Sequence, residues 1–290
     1  MTASPNLALD AEQRAPVPGA ELLHRFRNLE VLDKLALIGF LAVFAISFLG
    51  PYLAPHSPTI PVGGPFGHPS HAFPMGTDDI GDDIWSRVLW GARQSWIGAL
   101  IVIASGVVIG TLVGLAAGAV GGWLDMILMR ITDAFLALPG PVLALAVAAA
   151  LGRSFGNTLI AVGIVWWPLY ARIVRGEVKA LSSRPHIEAA TLAGTRRHRL
   201  WLRHLLPGAV PPILVAASLD VGGLILTIAG LSFLGLGSPQ PAPELGSMTA
   251  QGLPYLLTSP WVALFPALVI FVIALSSNLA GDAVRGLLEE

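Results

Sequence analysis

Long apolar runs alternate with short polar stretches along this 290-residue chain. A helix needs about 20 apolar residues to cross a hydrocarbon layer of roughly 30 Å. Six stretches meet or approach that length, at about 35–54, 96–119, 124–151, 157–174, 208–236 and 261–283. The pattern predicts an all-α membrane protein with six transmembrane helices. The third and fifth runs are longer than a span needs, so tilt, a kink or extension beyond the lipid has to absorb the excess. Pro139-Gly140-Pro141 and Pro211-Pro212 are the expected sites, since proline removes a helix hydrogen bond and glycine loosens the backbone. Gly106, Gly110, Gly114, Gly118 and Gly122 recur every fourth residue in and just after the second run. That spacing keeps them near one helical face, where a second helix can approach closely. The spacing leaves open whether that helix belongs to this chain or to another subunit.

Charge orients the spans. Eight of the 17 Lys and Arg residues lie between Arg172 and Arg203, in the connection from the fourth run to the fifth. The positive-inside rule places this loop in the cytoplasm. With six spans, both termini are then cytoplasmic, in agreement with Arg25, Arg27 and Lys34 at one end and Arg285 at the other. Residues 55–95 hold only Arg87 and Arg93, and residues 237–260 hold no Lys or Arg, as expected outside. The first apolar run follows about 30 polar residues, so it reads as a retained span rather than a cleaved signal peptide. The expected organisation is a cytoplasmic tail at 1–32, a first span at 33–55, an extracytoplasmic segment at 56–95 and a core at 96–290, with a polar loop at 175–207.

Composition removes several function classes. Charged residues make up 12% of the chain, about half the share usual for a soluble domain. The net charge of −1 gives no basic surplus for nucleic acid. With no cysteine there are no disulfides, thiolate metal sites or cysteine nucleophiles. Only Lys34 and Lys179 are lysines, and neither follows glycine, so no phosphate-cradling Gly-Lys-Ser/Thr loop exists. No cofactor is expected on this chain. His56, His68 and His71 in the outer segment match no ligand spacing, and no metal site is expected. No Ser/His/Asp set falls in one region, and no catalytic residue is expected.

Two charged features fall inside apolar runs. Arg130 and Asp133 are three residues apart and are expected to form a structural ion pair on one helix face. Asp220 is isolated in the fifth run, where a carboxylate costs about 2.5–3.5 kcal/mol at the membrane centre. It calls for a water-filled path or a hydrogen-bonding partner within the bundle, and the sequence does not choose between them.

The polar loop carries Glu188-Ala189-Ala190, then Gly194, then Leu206-Pro207. This segment resembles the cytoplasmic coupling loop of binding-protein-dependent ABC importer permeases. Met75-Gly76-Thr77-Asp78 through Arg87, Gly91-Ala92-Arg93-Gln94-Ser95, Gly121 to Asp125 and Met129 to Asp133 are similar to the second, C-type permease subunit of dipeptide and oligopeptide importers. Leu231 to Gly237 and Asn278 to Arg285 continue the likeness, in the family's order, from about residue 33 to the end. The chain departs from the pattern at Asp82, where the family usually has Arg, which reverses a charge expected on the outer face. It also has Thr227-Ile228-Ala229 where an acidic residue is common, with Asp220 about two turns earlier.

The resemblance implies a type I ABC importer permease fold in the cytoplasmic (inner) membrane. It implies a second permease subunit, two cytoplasmic ATPase subunits that carry ATP and Mg, and an extracytoplasmic substrate-binding protein. Glu188, Ala189, Ala190, Gly194 and Pro207 are the implied ATPase-coupling residues, and Asp220 a candidate lining of the translocation path. A short helix over His186–Ala193, a left-handed turn at Gly194 and a second helix over Thr195–Leu205 would build such a loop. Dipeptides or oligopeptides are the expected cargo. Nickel, glutathione or another small solute is the alternative, and a stand-alone ion-coupled carrier using Asp220 a more distant one.

Overall fold

A computed structural model describes residues 30–289; Arg25, Arg27 and nearly all of the expected N-terminal tail lie outside them. The described residues are almost wholly helical, with one isolated antiparallel bridge between Thr77 and Asp83. The helices are α1 (Val31–Leu53), α2 (Ile84–Val120), α3 (Gly122–Leu136), α4 (Gly140–Leu151), α5 (Phe155–Ser182), α6 (Pro185–Leu192), α7 (Arg197–Leu200), α8 (Leu206–Leu231), α9 (Leu245–Gly252) and α10 (Trp261–Glu289). Among the described residues, five continuous helical stretches are long and apolar enough to cross a membrane, and α3 with α4, taken as one bent span, makes six. Six spans match the apolar pattern.

The bend falls at the predicted place and is sharp, 87° between α3 and α4. Pro139 is extended there, and Pro141 sits in the first turn of α4, where its missing N–H costs nothing. At Pro211-Pro212 the outcome differs: α8 runs on through both prolines. The irregularities lie on either side, as wide π-type turns at Trp201–Leu205 and Ser232–Leu236.

α2 begins at Ile84, well before the apolar run at 96. Its 37 residues span about 55 Å at the usual rise, so it projects beyond the lipid. Asp83 stops it from fraying by accepting the backbone N–H groups of Trp85 and Ser86, an N-cap for otherwise orphaned donors.

The glycine face of α2 packs on α5 of the same chain. A β-carbon built on Gly110 would lie 2.5 Å from Tyr170 Cβ and 2.7 Å from the Trp167 carbonyl. One on Gly114 would lie 2.5 Å from the Ala171 carbonyl, and one on Gly118 2.8 Å from Val178. The ladder ends there: Gly122 has φ +60° and open space, and opens α3 instead. Nearer the start of α2, Trp96 is buried and meets Phe40 and Phe44 of α1 edge-on, at 5.5 and 5.0 Å. α1 otherwise shows bare apolar side chains such as Leu35, Ile38 and Leu41, as a lipid-facing helix does.

Candidate functional site

The polar loop folds as a small device between α5 and α8. Pro185 opens α6 with its φ already helical. Gly194 closes it with φ +78°, while its N–H bonds to the Thr191 carbonyl and the Thr195 N–H to the Ala190 carbonyl. This is the left-handed stop that glycine alone adopts without strain. The expected second helix differs. It begins at Arg197, not Thr195, and passes through the wide turn at Trp201–Leu205 into α8 without a break. Pro207 therefore lies exposed in the first turn of α8, away from α6 in sequence and in element.

Ile187 anchors α6. Buried to 2% exposure, it joins Val178 and Leu181 of α5, Leu205 of the wide turn, and Ala209 and Ile213 near the start of α8 in one apolar cluster. Glu188, Ala189 and Gly194 are exposed and Ala190 is half-buried. Leu192 is 89% exposed, an apolar side chain with no cover. Sequence reasoning named neither Ile187 nor Leu192. Their signal was weak, because an eight-residue helix offers barely two turns in which an apolar periodicity can show.

Above the loop, α3 is tied to α5 by charge. Arg175 donates to both Asp125 oxygens, at 2.5 and 2.9 Å, and Lys179 reaches the same carboxylate at 2.6 Å. Asp133 pairs with Arg172 at 2.6 Å. This corrects the expected Arg130–Asp133 pair, since Arg130 is exposed and makes no ion pair among the described residues. The reason is tertiary: Asp125 and Asp133, roughly two turns apart, face an α5 that presents three cations at i, i+3 and i+7.

Asp220 is half-buried on α8 and not isolated. It accepts the Tyr170 hydroxyl at 2.8 Å and the Trp166 indole N–H at 3.1 Å, both from α5. Two donors on a neighbouring helix supply the hydrogen-bonding partner that a carboxylate in a span requires.

In the segment before α2, Asp82 is fully buried, where a surface charge was expected. It pairs with the equally buried Arg87, and Asp78 stands 3.4 Å from the same guanidinium. Burial pushes both carboxyls above the usual carboxylate range, against the pull of Arg87. Glu244 is buried in the connection between α8 and α9, where it accepts the Ser238 N–H at 2.7 Å and the Ser247 hydroxyl at 3.2 Å. Burial likewise raises its carboxyl. No group of three or more metal-ligating side chains occurs among the described residues.

Long apolar helices packed as a bundle, with a short helix in the connection between two of them, are the architecture that a membrane permease presents. Residues 106–289 match the family described as binding-protein-dependent transport system inner membrane component, and the chain belongs to that family. It is 38% identical to the probable D,D-dipeptide transport system permease protein DdpC of Escherichia coli, over 97% of this chain and 95% of that one. It is 39% identical to the glutathione transport system permease protein GsiD of Pectobacterium atrosepticum, over 94% and 91%. With the dipeptide transport system permease protein DppC of Alkalihalophilus pseudofirmus the identity is 36%, over 100% and 95%. The protein is a multi-pass membrane permease of a binding-protein-dependent transporter, the family that the motifs implied.

Proposed function

We propose that the chain is one of two unlike permease subunits of an ATP-driven importer of short peptides. The names of its relatives, two dipeptide permeases and a glutathione permease, support a cargo of two or three residues. Both termini and α6 face the cytoplasm, where two ATPase subunits supply the nucleotide chemistry that this chain lacks; a binding protein delivers cargo at the other face. The basic stretch from Arg172 to Arg203 supports that orientation.

The observation that carries the reading is the mounting of α6. Its inner side enters, through Ile187, the apolar cluster that the ends of α5 and α8 share, while Glu188, Ala189 and Leu192 stay bare. A partner that grips the bare side and moves therefore displaces two spans together. In this reading Glu188, Ala189, Ala190 and Gly194 shape the docking surface, Leu192 adds an apolar contact, and Pro207 belongs to the span that α6 moves. Asp220 fixes α8 to α5 rather than lining an open path, because both of its donors come from α5.

Gly194→Val tests this. A β-carbon at Gly194 meets open space, so the variant acts through backbone strain alone; that strain is about 1–2 kcal/mol or more for a β-branched residue. The reassembled transporter should insert normally, while ATPase pull-down and transport fall by about tenfold. Ala190→Trp should do the same by bulk, and Asp220→Asn should leave ATPase association intact. Normal transport by Gly194→Val would reduce α6 to an ordinary connector.

A further inference from the structure

A cleft of about 440 Å³ opens at the outer end of the bundle, within the roughly 300–1,000 Å³ typical of small-ligand sites. Four parts of the chain wall it: Asp79 from the segment before α2, Arg153 before α5, Gly235–Gln240 after α8, and Ser247 to Tyr255 across α9 and beyond. Asp79 and Arg153 are its only charged lining residues, and they carry opposite signs. Neither has a salt-bridge partner among the described residues, whereas the neighbouring Asp78, Asp82, Asp83, Arg87 and Glu244 are committed to internal bonds.

Each of the two is held in place by its surroundings. Asp78 accepts the N–H groups of Ile80 and Asp82, at 3.1 and 2.9 Å, and so fixes the turn that carries Asp79. Arg153 follows Gly152, whose φ is +90°, and its guanidinium lies near Gly235, where a β-carbon would sit 3.7 Å from Nη2. The Thr158 hydroxyl donates to the Leu236 carbonyl at 2.9 Å, which holds the first turn of α5 against the cleft's rim.

The placement of Arg153 is not explained by stability. A cation just before the N-terminus of a 28-residue helix faces the positive end of its dipole, which disfavours it unless an anion is present. Arg153 and that helix end instead add up to an anion-attracting corner. The Ser232 hydroxyl, at 1% exposure in the cleft wall, is taken up by the buried Glu244 carboxylate, so both belong to the rim's internal bonding.

We propose that this cleft is a receiving subsite for a zwitterionic short peptide. Arg153, with the α5 end, takes the C-terminal carboxylate, and Asp79 takes the N-terminal ammonium. Free termini at both ends distinguish a di- or tripeptide from an internal segment of a protein, so the subsite reads the two features common to all short-peptide cargo. The inference rests on the importer reading above and adds where in this chain the cargo is met.

The test uses the whole transporter in vesicles, with dialanine, N-acetyl-dialanine and dialanine amide as probes. Arg153→Gln and Asp79→Asn should each lower dialanine uptake at subsaturating concentration by about tenfold, the worth of one charge-assisted contact. Arg153→Lys should recover most of the loss. N-acetyl-dialanine, carried poorly, should be indifferent to Asp79→Asn, and dialanine amide indifferent to Arg153→Gln. Thermal unfolding and binding-protein pull-down should match the wild type. Unchanged uptake in both variants overturns the subsite. A parallel fall in binding-protein capture also overturns it, and makes the cleft a docking surface for that protein. If the wild-type assembly takes up no dialanine at all, the importer reading itself fails, which is a different result from uptake that the variants leave untouched.

Discussion

At the scale of single residues, the start of α2 shows how burial and pairing compete. Arg87, Asp82 and Asp78 are all buried, so one cation faces two carboxylates in a region shielded from water. Taking the arginine away strands two buried acids, at a cost of about 3–5 kcal/mol; Asp82→Asn leaves Arg87 with Asp78 and costs about 1–3 kcal/mol. Arg87→Leu should therefore lower the thermal midpoint in detergent more than Asp82→Asn does. The sign with pH follows from the raised carboxyls. A carboxyl whose folded pKa lies above the unfolded value of 3.8 contributes stability below that value, and loses it as pH rises through the folded pKa. Without Arg87 the two acids rise further, so the deficit of Arg87→Leu should be smaller near about pH 4 than near about pH 7. An equal deficit at both would mean that packing, not charge, is what the arginine provides. The residue pattern made Asp82 look like a reversed surface charge. Its burial beside Arg87 is a tertiary fact, since nothing in a five-residue separation says which side of a helix start faces inward.

At the scale of elements, the contact of α2 with α5 is set by side chains that are missing. Gly110, Gly114 and Gly118 let α2 lie on the α5 backbone, and the carbonyls of Trp167, Ala171 and Arg175 are within reach of any added carbon. Backbone cannot yield as a flexible side chain can. Gly114→Val should therefore cost about 1–3 kcal/mol and lower the yield of folded protein in the membrane. Gly223→Ala on α8 meets open space and should leave the isolated chain's stability within about 0.5 kcal/mol of the wild type. Detergent thermal unfolding of the two variants gives the comparison; equal midpoints would show that α2 and α5 can part without penalty. The glycine ladder was legible because a period of four repeats over several turns. The helix that fills it was not, because any helix with a small-residue face meets the same requirement. The Arg130–Asp133 expectation failed for the same reason: intrahelical spacing permits the pair, but Arg172 on α5 offers Asp133 a better one.

At the scale of the whole molecule, topology is open to direct chemistry, because the chain has no cysteine. Ile60→Cys and Leu257→Cys, at exposed outer positions, should react with an impermeant thiol reagent added to intact cells. Arg196→Cys and Gly286→Cys should react only after the membrane is opened. Labelling at residue 196 from outside would invert the orientation, and with it the assignment of the outer cleft and of α6.

The sequence by itself determined the number of spans, the bend at Pro139-Gly140-Pro141, the left-handed stop at Gly194 and the family. Each of these rests on local information: a run of apolar residues long enough to cross lipid, a backbone restricted by proline or freed by glycine, or a motif kept in order. The tertiary structure alone decided which side chains meet across helices. It gave Asp220 its partners on α5, took Asp133 from Arg130 to Arg172, placed Ile187 between two spans, and brought Asp79 and Arg153 from distant segments to one cleft. The physical reason is that a helix fixes the direction of its own side chains within a few residues, whereas its partner is chosen by packing over the whole bundle.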